Sequence, residues 1–515
     1  MAPFYVTTPI YYVNGAPHLG NLYTTTIADI LARYHRLFGD ETLFLTGVDE
    51  HGQKAEEAAL QRGLTPQVHC DDMAASFEKA WRHLGISHDI FMRTTFPHHQ
   101  RVVQDCLAYL HEKGDIYSAE YEGWYSVSEE MFFTEKEIVN GLSPAGKPVQ
   151  RVTEKNYFFR MSKYQDALIA YLEGNPDYIQ PEGKRSEVLG FLRQPLADLC
   201  ISRPKKRLAW GISVPFDEEF VTYVWFDALL NYASAIGYRQ SEEGERQFQK
   251  WWSGVVHLIG KDILTTHAVY WSTMLMALSV PLPRVIFAHG WILNAVGRKM
   301  SKSEGPVVTP QTLCDAIGID ATRYWLARDI VFGNDGSFSE ELVVSRLNAE
   351  LANNLGNLAN RSSALIEKYF GGVVPAATTE STATVGLREA AEALPERVRG
   401  AIEELAPHHA IGAVVELLSR TNQYIDGMAP WKTVKTDTAA AGEALAAVVS
   451  VLNTVAFLLS PVMPTKMAEL AARLGSSLEG RTFARCPQWG ELEGQSMVSG
   501  GALFPRLELP LLREE

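Results

Sequence analysis

Phe4-Tyr5-Val6-Thr7-Thr8, the polar turn Asn14-Gly15-Ala16-Pro17, and then His18 to Phe38 form the stretch on which the fold turns. The first run is β-prone. The last carries Leu22, Ile27, Ile30, Leu31, Tyr34, Leu37 and Phe38 at helical spacing, so it predicts an amphipathic helix. Gly39-Asp40 stops that helix, and Thr42 to Thr46 predicts the next strand. A second unit of the same kind runs from Val255-Val256-His257-Leu258-Ile259-Gly260 through a helix over 262–278 to the apolar run Val285 to Ala288. Strands alternating with helices predict an α/β fold with a parallel sheet whose ligand lies at the strands' carboxyl ends.

Between these halves, over 116–215, the pattern changes to short aromatic strands and turns, such as Glu122-Gly123-Trp124-Tyr125 and Asn156-Tyr157-Phe158-Phe159, which predicts an inserted domain. Beyond Ser345 the chain becomes helical, with runs near 346–369, 386–405, 408–426 and 440–459 and a linker over Gly371 to Gly386. The resulting partition is 1–115 and 216–290 for two halves of a split sheet domain, 116–215 for the insertion, 291–345 for a connector, and 346–515 for a helical bundle. Ala444 to Val462 is uncharged and long enough to span a bilayer. Its Ser450, Asn453, Thr454 and Ser460 suit a buried bundle helix better.

The chain has 515 residues, 46% hydrophobic and 21% charged, enough for three or four domains with their own cores. Such a composition excludes disorder as the main state. Five cysteines, at 70, 106, 200, 314 and 486, contain no Cys-x-x-Cys and fit a reducing cytoplasm. The first residues show no basic region followed by an apolar stretch, so no secretory signal is expected. A net charge of −14 argues against wholesale coating of nucleic acid.

Two strings carry chemistry. Pro17-His18-Leu19-Gly20-Asn21 sits where strand gives way to helix. Helix N-terminal amides attract phosphate oxygens, an imidazole can donate to them, and glycine permits close approach of a flat base. A surface histidine beside an ordinary helix start would look the same. Gly297-Arg298-Lys299-Met300-Ser301-Lys302-Ser303 shifts that balance, because two lysines three apart in a small-residue loop can hold a leaving pyrophosphate.

Together the two strings resemble the HIGH and KMSKS signatures of class I aminoacyl-tRNA synthetases. Thr7 to Gly15, Gly47-Val48-Asp49-Glu50-His51-Gly52, Tyr223-Val224-Trp225-Phe226-Asp227-Ala228, Gly260-Lys261-Asp262-Ile263 and Ala429-Pro430-Trp431-Lys432 are similar to the methionine-specific branch of that family. The resemblance implies a Rossmann-type catalytic domain with an inserted connective domain, followed by an all-α anticodon-binding bundle. It implies activation of L-methionine by ATP and transfer to tRNA(Met), including the initiator form. His18, Gly20, Asn21, Asp262, Lys299 and Lys302 then contact ATP, with His18, Asn21, Lys299 and Lys302 acting in catalysis. Asp49 receives the methionine ammonium, and Ile10, Tyr12, Trp225, Ala228, Tyr232 and His267 receive its side chain. Aromatic rings suit a polarizable sulfur, at roughly 0.3–1.5 kcal/mol per contact. Asn21 stands where the signature has a second histidine, so a cationic role there is lost and a hydrogen-bonding one is kept. Mg2+ is expected to arrive with the triphosphate.

Asn357, Arg361 and Trp431 match the branch's anticodon-reading set. Asn357 and Arg361 are four apart and share a helical face. Many family members carry cysteine knuckles in the inserted domain, whereas Trp124 to Glu130 and Gly141 to Gly146 hold none here. A knuckle without structural zinc, held by Trp124, Phe132 and Phe133, is therefore expected. No dimerisation module is recognised after the bundle, so a monomer is expected, with no membrane or DNA partner. Three alternatives fit the sequence less well. Another class I synthetase with editing would need a larger insertion, and a nucleotidyltransferase sharing only the His-x-Gly phosphate site would not need Asn357, Arg361 and Trp431. A non-catalytic tRNA-binding protein would not need His18, Lys299 and Lys302.

Overall fold

The structure, a computed structural model, describes residues 3–126, 131–133, 135, 138–144, 146–294, 297, 298 and 309–512. It divides into two compact units, one of Met1–Pro17 and Leu43–His289, the other of His18–Thr42 and Gly290–Glu515. This division cuts across the five-part partition: His18–Thr42, assigned from sequence to the first half of the catalytic domain, packs with the C-terminal residues, because its helix buries its apolar face against theirs.

Among the described residues the first unit's strands are β1 (Phe4–Tyr12), β2 (Thr42–Asp49), β3 (Ile90–Arg93), β4 (Ile116–Ser126), β5 (Met131–Phe133), β6 (Gln150–Phe159), β7 (Ile179–Gln180), β8 (Leu199–Cys200), β9 (Ser202–Pro204), β10 (Phe220–Thr222), β11 (Val255–Gly260) and β12 (Val285–His289). Six of them form the central sheet of the first unit in the order β3-β2-β1-β11-β12-β7. The pairs β1–β11, β11–β12, β12–β7 and β2–β3 are parallel. Parallel strands buried on both faces read as continuous apolar runs, as in Val255–Ile259. The polar exceptions are satisfied across the sheet. Thr8 Oγ1 donates to Thr46 Oγ1 at 2.8 Å, and Thr7 Oγ1 lies 2.8 Å from Nδ1 of the buried His257.

The insertion forms a separate antiparallel sheet, β5-β4-β6-β8, with β4 and β6 paired over their whole length from Ile116↔Phe159 to Tyr125↔Gln150. The helix expected over 262–278 is broken into a 3-10 turn, Lys261–Ile263, a π-turn, Thr266–Trp271, and a short α-helix, Ser272–Ala277. Periodicity registers apolar residues and cannot distinguish these hydrogen-bond ladders. π-turns are rare and concentrate at functional sites.

In the second unit the helix Leu19–Phe38 ends at Gly39, whose φ of 89° is a left-handed conformation that glycine adopts without strain. It packs on the helices Ile319–Arg328, Thr382–Glu403 and Pro407–Met428. The run near 346–369 begins earlier and is also interrupted, as Glu340–Leu347, a π-segment Asn348–Gly356, and Asn357–Phe370. The helix Thr382–Glu403 starts inside the expected linker, capped by Ser381, because alternating small and polar residues hide its apolar stripe. The uncharged segment lies in the helix Thr438–Leu459 except for its last three residues, and the helix's apolar window is wholly buried, as a bundle core requires.

A buried ion pair joins these parts of the second unit. Arg323 Nη2 lies 2.7 Å from Asp29 Oδ2, with both side chains essentially inaccessible, and its guanidinium also donates to the carbonyls of Pro461 and Val462 at 2.9 Å. Tyr34 Oη donates to Leu458 O at 2.8 Å beside it. Removing Arg323 takes one of two cations from the buried Asp29, whose Oδ2 also lies 2.7 Å from Arg33 Nε, and leaves two carbonyls unpaired, at about 3 kcal/mol, the lower end for a broken buried pair. Arg323→Ala is therefore expected to lower the melting midpoint of the second unit's calorimetric transition by roughly 6–12 °C. A shift of a degree or less would show that Asp29 does not depend on Arg323.

Candidate active site

In the first unit an aromatic cluster forms where β1 and β11 end. Tyr12, the last residue of β1, meets Trp225 edge-on with ring centroids 6.2 Å apart. Trp225 meets His267 in the same manner at 6.4 Å, and His267 lies 5.8 Å from Tyr232. Edge-to-face packing favours these separations and leaves ring faces for an apolar ligand. Trp225 and Ala228 project from the short helix Val224–Leu229, Tyr232 from the next turn, and His267 from the π-turn. Ile10 packs against the same core.

The hydrogen bonds fix the state of His267. Burial draws its pKa down to about 4, although a backbone hydrogen bond and the charge of Asp262 act in the opposite sense. The imidazole is thus neutral near pH 7. Its Nδ1–H donates to Ile263 O at 3.0 Å, so Nε2 accepts from the Tyr232 hydroxyl at 2.9 Å. The four rings of the slot therefore carry no formal charge of their own.

Asp49 ends β2 and is buried. Burial chiefly raises the pKa of Tyr232, and the charges of Tyr11 and Asp49 act in the same sense. Glu50 pins the same loop: it accepts from Arg93 Nε at 2.8 Å and Thr95 Oγ1 at 2.5 Å, while its carbonyl accepts from Trp210 Nε1. Asp262 sits exposed in the turn after β11. A Cβ at Gly260 would lie 2.5 Å from Asp262 Oδ1, so glycine there lets the carboxylate fold back over the strand end.

His18 occupies the second unit, as the N-cap of Leu19–Phe38. Its Nδ1 accepts from the amides of Gly20 at 3.1 Å and Asn21 at 3.4 Å. In the neutral ring the proton is then on Nε2, which makes that nitrogen a donor. Asn21 Oδ1 accepts from the His18 amide at 3.1 Å and completes a capping box. This gives Asn21 a positioning role that a second histidine would have to meet with a ring nitrogen. A Cβ on Gly20 would lie 3.0 Å from His18 Cε1, so this glycine also makes room for the imidazole. Lys299 and Lys302 lie outside the described residues, as do most of the residues around them. Before them, the Asn294 amide donates to Arg298 O and the Arg298 amide to Asn294 Oδ1, each at 2.8 Å.

Further along the second unit, Arg361 and Trp431 come together. The guanidinium lies 4.1 Å from the indole centroid and is oriented by Asp426 Oδ1 at 2.8 Å from Nη1. Asn357 is exposed one turn earlier on the same helix. Trp431 is held by the short helix Pro430–Thr433, entered through Ala429 at a φ of 43°.

Among the described residues no group of three or more His, Cys, Asp or Glu side chains is arranged to hold a metal ion. Trp124 Nε1 donates to Glu135 Oε2 at 2.7 Å, whereas the side chains of Phe132 and Phe133 lie outside the described set. Sequence reasoning missed Lys54, whose ammonium lies 4.7 Å from the Tyr12 ring centroid, and a cleft where Arg203 and Arg207 stack on Tyr125. No spacing rule links those residues, which come from separate strands, a helix and a turn.

Comparison with known proteins bears on both units. Residues 4–151 and 143–363 match the model described as "tRNA synthetases class I (M)", and residues 374–489 match "Anticodon binding domain of methionyl tRNA ligase". Trp431 falls within the second match, and Asn357 and Arg361 within the first. The methionine–tRNA ligase of Clostridium perfringens is 44% identical over 512 residues, covering 98% of this chain and 78% of that protein. That of Streptococcus pyogenes serotype M1 is 43% identical over 527 residues, covering 98% and 78%. The structure of Mycobacterium tuberculosis methionyl-tRNA synthetase in complex with methionyl-adenylate superposes with a TM-score of 0.94 at 40% identity, over 98% of this chain and 100% of that one. With family models, near full-length relatives and fold in agreement, the chain belongs to the methionine–tRNA ligase family of class I aminoacyl-tRNA synthetases.

Proposed function

We propose a division of labour for the family's reaction, in which this chain ligates methionine to tRNA. The observation that carries it is the uncharged aromatic slot of Tyr12, Trp225, Tyr232 and His267 within electrostatic reach of the buried Asp49 carboxylate. Asp49 anchors the substrate ammonium, and the slot, closed by Ala228 and Ile10, takes the unbranched thioether. A branched side chain is excluded by shape.

The methionine carboxylate is already ionised at neutral pH, so it attacks the α-phosphorus of ATP without a protein base, and pyrophosphate leaves. The protein's work is positioning and charge stabilisation. His18 offers its Nε2–H to the phosphates, Asn21 holds His18 in that orientation, and Gly20 lies beneath the adenine. Asp262 takes the ribose hydroxyls, and Lys299 and Lys302 hold the departing pyrophosphate. Mg2+ enters bound to ATP. A hydroxyl of the terminal ribose of tRNA(Met), elongator or initiator, then attacks the activated carbonyl and releases AMP.

Arg361 stacked on Trp431, with Asn357 beside it on the helix, supports reading of unstacked anticodon bases. The remaining assignments follow the same reading: 116–215 as connective domain, 291–345 as loop-bearing connector, and 346–515 as anticodon-binding bundle. The chain acts as a monomer in a reducing cytoplasm, a compartment that suits its five free thiols. In the inserted domain the one cysteine, Cys200, is buried against Ser202 and Arg203, which does not fit a tetrahedral zinc set.

Two results test these assignments. Trp431→Ala should depress charging of tRNA(Met) by tenfold or more while methionine-dependent ATP–pyrophosphate exchange stays within about twofold, since loss of a stacked base contact removes roughly 1–3 kcal/mol. Equal loss of both activities would make Trp431 a structural residue. Metal analysis of the purified protein should find no stoichiometric zinc, and one equivalent would overturn the zinc-free knuckle.

A further inference from the structure

Three buried polar side chains of the first unit take no part in the roles above. Asp227, on the helix Val224–Leu229, meets His51 Nδ1 at 2.6 Å through one carboxylate oxygen and His99 Nε2 at 2.7 Å through the other. The second nitrogen of His99 meets Ser234 Oγ at 2.7 Å. Asp227 and His99 have no accessible side-chain surface, and His51 has 5%. Burial works to raise the Asp227 pKa, yet the two histidines hold it below the usual carboxylate range, so both bonds are to an ionised group.

Their places in the chain give the cluster its meaning. His51 lies two residues after Asp49, on the loop that leaves β2, and its ring packs 5.5 Å from Trp210. Asp227 lies two residues after Trp225 and immediately before Ala228. The ammonium anchor and the thioether slot therefore sit on separate elements, and the His51–Asp227 bond runs directly between them. The Glu50 contacts fix the loop against Arg93 and Thr95, whereas His51 reaches the slot's own helix. The His99 bond ties that helix to the helix Pro97–Glu112 rather than to the loop of Asp49.

We infer that the His51–Asp227 pair is a positioning element that sets the distance between the methionine ammonium anchor and the thioether slot, and so sets selectivity for side-chain length. The inference rests on the assignment of Asp49, Trp225 and Ala228 to methionine. A charge-assisted bond buried in a low-dielectric interior suits the task, because one with fixed geometry resists displacements that a purely apolar contact would absorb. An amino acid longer or shorter by one methylene is rejected only if that distance is held, and the available discrimination is roughly 10–200-fold.

The test is methionine- and ethionine-dependent ATP–pyrophosphate exchange by the full chain, ethionine being the homologue one methylene longer. His51→Ala should raise KM for methionine about tenfold, leave KM for ATP within about twofold, and lower the methionine-to-ethionine ratio of kcat/KM at least fivefold. His51→Asn, whose amide can donate near the position of Nδ1, should restore most of the ratio. His99→Ala should lower the melting temperature and keep the ratio within about twofold of the parent. If His51→Ala does not fold, Asp227→Asn, which removes the charge and keeps the shape, should shift the ratio in the same direction. A ratio unchanged in whichever of the two variants folds, or changed as much in His99→Ala, would overturn the inference and reduce the cluster to core stabilisation. Asp49→Asn separates the underlying assignment: an unchanged methionine KM there would remove the anchor itself, whatever His51 does.

Discussion

The pairing of β1 with β11 is the constraint on which the first unit depends. Tyr5↔Val255, Val6↔Val256 and Thr7↔His257 join residues 250 apart in sequence, and the parallel register sends both strands out at the same sheet edge. Tyr12 therefore emerges beside the turn that carries Asp262 and His267, and β2, next to β1, delivers Asp49 nearby. Loop-closure cost grows only with the logarithm of loop length, so the inserted antiparallel sheet can occupy the intervening chain at little expense to the pairing. The buried Thr7–His257 contact and the Trp271 Nε1–His257 Nε2 bond of 3.2 Å fix this register with polar groups.

The two units divide the chemistry along a line of physical type. The first unit offers aromatic rings without formal charge and a buried carboxylate, groups suited to an amino acid's side chain and ammonium. The second offers donors: His18 Nε2–H at a helix start, and Arg361 stacked on an indole. That separation gives the −14 charge a meaning. With so negative a chain, an RNA partner is best met by contacts that are few, local and partly stacking-based rather than by long-range attraction.

Much of this was legible in the sequence, for identifiable reasons. The βαβ opening was readable because Leu19–Phe38 has strong helical periodicity and ends at a glycine in the left-handed region. Arg361 and Trp431 were readable only through resemblance, since 70 residues separate them and no local rule connects a helix face to a turn. The break of the helix over 262–278 was hidden, because a π-turn keeps the same apolar residues buried while shifting the ladder by one. His51 and Asp227 stood inside quoted motifs without a role. Pairing between a loop and a helix 176 positions later is a tertiary fact that no periodicity encodes. The five-part partition likewise followed sequence order, whereas the helix Leu19–Phe38 follows its buried face.

Selection of methionine by the aromatic slot, with Asp49 as anchor, can be read in a single assay. Amino-acid-dependent ATP–pyrophosphate exchange, measured with each of the twenty amino acids in turn, tests it most directly. The account predicts exchange that depends on methionine, with every other amino acid far below it and branched side chains lowest. Exchange without preference for methionine, or no exchange with any of the twenty, would contradict it.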